Sequence, residues 1–203
     1  MEELEEERGK RVEQDTNVLQ DQDLKNMLDE KSTSYDPIKA ESILRELLSK
    51  DNDICLHFIL GKLYADQTLD LFDQQKAVKH LEIFRAQNEN HYETNVLLGK
   101  LYSDKDFSDF NYRKAVDFYE KAVHLNLKKS NYIKLRLSRI YADKEQELFD
   151  YEKALTVLND ASDQVGSVSL QKGNIYMSME EEERAVAYYE LSVQKNNPYA
   201  AYQ

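Results

Sequence analysis

Apolar positions along this chain recur at helical rather than alternating spacing, and the helical pattern is itself repeated. Four segments bring a small-residue turn to a tyrosine: Leu60-Gly61-Lys62-Leu63-Tyr64, Leu98-Gly99-Lys100-Leu101-Tyr102, Leu137-Ser138-Arg139-Ile140-Tyr141 and Lys172-Gly173-Asn174-Ile175-Tyr176. The tyrosines are 38, 39 and 35 residues apart, and the alanines that follow them, Ala77, Ala115, Ala154 and Ala185, are 38, 39 and 31 apart. Each alanine opens a second helix, as Ala77-x-x-x-Leu81, Ala115-x-x-x-Tyr119, Ala154-x-x-x-Leu158 and Ala185-x-x-x-Tyr189. That spacing sets a small and a large side chain one turn apart on one face, where neighbouring helices can approach closely. Self-similarity at this period predicts stacked helix pairs.

The pattern weakens toward both ends. Residues 1–16 are mostly charged, with Leu4 and Val12 as the large aliphatic residues, so a frayed or disordered segment is predicted there. Val18, Leu19, Leu24, Met27 and Leu28 then have helical spacing. Ser32 to Asp36 reads as a loop ending in an N-cap, with Pro37 at the first helical position. Ala40 stands 37 residues before Ala77, marking a degenerate first repeat. Residues 17–203 thus read as about five helix pairs. Phe72-Asp73, Phe110-Asn111 and Phe149-Asp150 each offer a capping side chain behind an apolar staple. Asn197 to Gln203 reads as the opening of a further first helix, in a natural protein that continues, or else as a solvated final helix.

Composition narrows the class. The 203 residues include only 5 glycines and 2 prolines, too few for a turn-rich β protein or a glycine-loop nucleotide fold, so an all-α protein is expected. A net charge of -12 argues against nucleic acid or an anionic membrane as partner. One cysteine, Cys55, allows no internal disulfide and reads as a small apolar residue. Neither an export signal nor a long apolar span is present in the sequence, so a cytoplasmic location is expected, with an exported origin left open.

The order Leu-Gly-x-x-Tyr followed by Ala-x-x-x-aromatic or Leu resembles the tetratricopeptide repeat (TPR). In the last repeat the tyrosine-to-alanine spacing is 9, as in the standard repeat; in the three before it the spacing is 13. The longer connection, with Asp150-Tyr151-Glu152-Lys153-Ala154 and Asn111-Tyr112-Arg113-Lys114-Ala115, looks like the Sel-like subclass, although Asp, Glu, Leu and Phe replace that subclass's loop glycines. The resemblance covers roughly residues 35–203. It implies a right-handed α-solenoid of stacked antiparallel helix pairs whose first helices line a concave groove.

On that resemblance the groove carries Lys62, Lys100, Arg139 and Asn174 in one column and Phe58, Val96 and Leu135 in another. Apolar residues in the second column are unlike the carboxylate clamp of co-chaperone TPRs. The cations either hold an acidic ligand or pair with Asp66, Asp104 and Asp143 at i,i+4, and internal pairing is the favoured expectation.

No catalytic set stands out. His57, His80, His91 and His124 lie in different helices or junctions and read as surface or packing residues. Asp104 to Asp109 begins like a calcium loop but lacks its glycine and bidentate glutamate. Glu180 to Glu183 reads as a solvated helix start. No cofactor, catalytic residue or metal ligand is assigned. The expected function is a non-enzymatic scaffold or adaptor that binds a protein or peptide on its concave face. The alternatives are a repeat segment of a larger enzyme or secretion machine, and self-association through an exposed end carrying Tyr199 and Tyr202.

Overall fold

The structure, a computed structural model, describes residues 21–126, 130–159, 161–163 and 166–195. The charged segment 1–16 and the residues Tyr199 and Tyr202 lie outside these. Among the described residues the protein is all-α, with ten helices packed in consecutive pairs. The chain divides into two compact units, Met1–Phe110 and Asn111–Gln203. The division falls inside the repeat of Tyr102 and Ala115.

The first unit holds α1 (Gln22–Leu28), α2 (Pro37–Lys50), α3 (Ile54–Ala65), α4 (Gln74–Arg85) and α5 (Tyr92–Tyr102). Helix α2 packs against α1 and α3, and α4 against α3 and α5. The second unit holds α6 (Tyr112–Leu125), α7 (Asn131–Ala142), α8 (Tyr151–Val157), α9 (Ser167–Ser178) and α10 (Glu182–Gln194). There α7 packs against α6, α8 and α9, and α9 against α10.

The predicted caps form. Asp36, Asp73, Asn111 and Asp150 each accept the amide three residues on, at 2.9–3.0 Å from Lys39, Lys76, Lys114 and Lys153. Each satisfies a helix N–H that would otherwise lack a partner. The phenylalanines that precede these caps are partly covered. Phe72 and Phe149 remain 36% and 40% exposed, and the Phe149 ring meets Tyr151 edge-on at 4.7 Å between centroids. Ala77 and Ala154, the alanines that follow them, are fully buried.

The repeat grammar is a packing requirement. Ala40, Ala77, Ala115, Ala154 and Ala185 are all fully buried, as are Leu44, Leu81, Tyr119 and Leu158 one turn on. A Cβ on Gly61 would stand 2.7 Å from Leu81 side-chain atoms and 3.3 Å from its backbone nitrogen. One on Gly173 would stand 2.5 Å from the Tyr189 ring and 3.3 Å from the Ala185 carbonyl. Glycine in the first helix thus admits the large residue of the second. In three repeats the lysine or arginine before the alanine covers the tyrosine of its own repeat: Lys76 Nζ lies 5.2 Å from the Tyr64 centroid, Lys153 Nζ 4.4 Å from Tyr141 and Arg184 Cζ 5.6 Å from Tyr176.

The long connections share one construction that dispenses with glycine. Asp29, Asp66, Asp104 and Asp143 each turn a carboxylate oxygen back to the amide two residues on, at 2.9–3.1 Å. Two successive turns follow, Leu69 N to Asp66 O and Phe72 N to Leu69 O, with the same pair at Gln146 and Phe149. Asp73 N to Tyr64 O at 2.9 Å and Asp150 N to Tyr141 O at 2.8 Å close the loops. Among the described residues positive φ occurs only at Gly166 (70°) and Glu180 (63°), so these loops contain no left-handed position for a glycine to fill. The short last connection does, at Glu180.

Candidate functional site

Helix α3 presents Cys55, Ile59 and Lys62 on one stripe, at i, i+4 and i+7, and Asp66 follows as its C-cap. Opposite that stripe run the end of α1 and the loop after it, Leu28 to Lys31 and Tyr35. Between them lies a groove of about 570 Å3 whose floor is Phe58, Ile59, Leu63 and Leu69. Its size is that of a pocket for a small ligand or a few side chains of a peptide. Asp29, Glu30, Lys31, Lys62 and Asp66 stand around it.

Phe58 and Lys62, two predicted groove residues, are brought together here, but not as free ligand contacts. Phe58 is only 5% exposed. Its ring packs against Phe84 at 5.0 Å and His91 at 4.7 Å, so it forms the floor rather than a projecting arm. Lys62 Nζ lies over that ring at 5.3 Å and pairs with Glu93 Oε1 at 2.8 Å. The favoured i,i+4 pairing is therefore not what Lys62 makes. Asp66 is used instead by the Thr68 amide and hydroxyl, at 2.9 and 2.7 Å. Asp104 is likewise held by the Asp106 amide and by Gln74 Nε2 at 2.6 Å, so its oxygens shape a turn rather than a calcium loop.

The other predicted residues differ in availability. Val96 and Lys100 are half-buried on α5. On α7, Leu135 is half-buried and Arg139 exposed. Asn174 on α9 is exposed, yet its side-chain oxygen already accepts the Tyr189 hydroxyl at 3.1 Å. Sequence reasoning missed Ile59, Cys55 and the wall from Leu28 to Tyr35. The stripe of α3 was there to be read; its facing wall depends on how α1 folds back.

Two histidines expected to be separate meet across α3 and α4, His57 Nδ1 to His80 Nδ1 at 2.9 Å. One proton bridges such a pair, so at least one ring is neutral. Burial pushes both below the ordinary imidazole range, with Lys79 adding to the effect on His57. His80 is lowered to about 4, by burial and then by His57, Lys79 and Arg45, against the opposing pull of Glu41. His91 caps α5, its Nδ1 accepting the Thr94 amide at 3.3 Å.

Burial, with Asp53 nearby, pushes the Cys55 thiol up to about 11, so it is protonated at neutral pH and poorly nucleophilic. Among the described residues no cluster of three or more His, Cys, Asp or Glu side chains could hold a metal ion. No described helix is long and apolar enough to cross a membrane.

Paired helices, with first-helix glycines packed closely on second-helix side chains, give the chain a TPR-like helical-repeat fold. The solved crystal structure of MamA, a TPR protein, is similar to this chain, with a TM-score of 0.66 and 21% identity over 82% of this chain and 92% of that one. No protein-family model and no curated protein matches the chain.

Proposed function

We propose that this protein is a non-enzymatic scaffold or adaptor that holds a peptide or protein segment on the face of its first helices. The groove over α3 carries that reading, because it unites an apolar floor with charged walls and already includes Phe58 and Lys62. Val96 and Lys100 in the first unit, and Leu135, Arg139 and Asn174 in the second, occupy the corresponding first-helix positions of their own repeats. The fold likeness to MamA supports the class, since helical repeats generally serve as binding surfaces. We assign the three connections led by Asp66, Asp104 and Asp143 to a Sel-like variant that replaces loop glycines by aspartate-led turns.

The test is affinity purification of the natural full-length protein beside a variant carrying Ile59→Glu, Lys100→Glu and Arg139→Glu. A stoichiometric partner that is lost from the variant is the expected result. A partner retained by the folded variant would place binding on another surface.

A second reading has its own observation. Val186 and Val193 lie two turns apart on α10 and are 50% and 43% exposed, which suits packing against a further segment or a second copy. A change in native mass on Val186→Asp with Val193→Asp would support self-association, whereas an unchanged monomer mass would remove the second copy.

A further inference from the structure

We propose that the groove over α3 takes a basic amphipathic segment of a partner protein, its apolar side chains on Phe58, Ile59 and Leu69 and its lysines or arginines against Asp29, Glu30 and Asp66. This rests on the peptide-binding reading above and gives the partner a chemistry.

The argument begins with charge. Lys62 is neutralised by Glu93 at 2.8 Å, leaving three carboxylates around the groove against Lys31. The same carboxylates act on Tyr35, which lines the groove: its hydroxyl is pushed above its ordinary range, first by burial and then by Glu30 and Asp66. An acidic wall beside an apolar floor selects a segment with apolar residues on one side and cations along its edge. The other occupants are disfavoured by the same charge. Residues 1–20 carry seven acidic and three basic side chains, and a second copy brings another net charge of -12.

Short random peptides displayed on phage would be selected on the full chain and then measured on two variants. Ile59→Glu spoils the apolar floor; Glu30→Lys reverses an exposed charge that makes no side-chain hydrogen bond or ion pair among the described residues. Cys55, the only cysteine, lines the groove and reports occupancy through its rate of maleimide addition at alkaline pH, where more of its thiol is ionised. The enriched peptides are expected to be net positive with apolar residues at helical spacing, and to slow Cys55 addition several-fold. Each variant is expected to weaken binding by about tenfold, the equivalent of 1.4 kcal/mol.

Enriched peptides that are net acidic, or indifferent to Glu30→Lys, would overturn the charge assignment while leaving the peptide-binding reading in place. Peptides that bind without slowing Cys55 addition would remove the groove itself, and failure to enrich any peptide would sink the proposal. Faster Cys55 addition in unliganded protein on Glu5→Lys, Glu6→Lys and Glu7→Lys together would show the chain's own N-terminus as occupant. A dimer dissociated by Ile59→Glu would show a second copy instead.

Discussion

Helices α3 and α7 occupy the same place in their repeats, one in each unit, and share the same buried face. Leu60 and Tyr64 on α3 and Leu137 and Tyr141 on α7 are all buried. Both tyrosine hydroxyls donate to a glutamate of the preceding second helix, Tyr64 to Glu41 and Tyr141 to Glu120 at 2.8 Å. Their other faces diverge. Where α3 has Cys55 and Ile59 beside a groove, the positions nine and five residues before the tyrosine of α7 are Tyr132 and Arg136. Arg136 Nε donates to the Tyr132 hydroxyl at 3.0 Å, and its guanidinium lies 5.1 Å from the ring centroid, so the polar pair covers itself. The cation after the small residue differs as well. Lys62 finds Glu93 nine residues before Tyr102, whereas the corresponding position before Tyr176 is Ser167, and Arg139 stays exposed. The repeated residues build the shared helix pair, and the two units differ in the positions between them.

The comparison can be broken first at the shared face. Gly61→Val and Gly173→Val should each destabilise their unit by about 3 kcal/mol, because the added atoms meet a second-helix side chain with backbone close behind it. Denaturant titration checks this. Similar losses in both units would confirm a common packing role, and tolerance at either site would contradict it.

A smaller effect should separate the units, because His57 and His80 have Lys134 and Val157 at the corresponding places. His80 is lowered to about 4 from the ordinary 6.5, so the unfolded chain binds the extra proton between those values. The stability tied to its neutral form is therefore complete above about pH 6.5 and is lost as pH falls toward about 4. Its half-exposed position reduces the effect to about 1–2 kcal/mol. Urea melts across that range should show the loss, and His80→Gln should flatten it. An equally steep profile in that variant would assign the acid sensitivity elsewhere.

The least disruptive change sharpens the difference between the exposed faces. Glu93→Gln removes a partly exposed ion pair and should cost under about 1 kcal/mol. It should also release the Lys62 charge into the groove and weaken a basic peptide, as fluorescence anisotropy would show. Unchanged peptide affinity would mean that the charge of Lys62 does not act on the groove.

Much of the fold could be read from spacing. The tyrosine and alanine periods, the aspartate caps and Pro37 all appear where predicted, because each depends on contacts within a helix or between neighbours joined by one loop. The contact of the Phe149 ring with Tyr151 was not readable, because ring orientation is not set by spacing along the chain. The cation column was read by position alone, and position could not say that Asp66 would turn back to Thr68 or that Lys62 would reach Glu93. Such choices depend on which of several partners at similar distance the packed helices bring closest.

The sequence by itself determined a chain of helix pairs, their boundaries and their buried seam, since periodicity and capping are local and every repeat restates them. Only the tertiary structure decided that Ile59 and Cys55 would border an open groove while Tyr132 and Arg136 would close over one another. It also decided that His57 and His80, 23 residues apart, would share a proton. The physical reason is that an exposed side chain carries no periodic constraint, so its role follows from the neighbours that folding delivers from other helices.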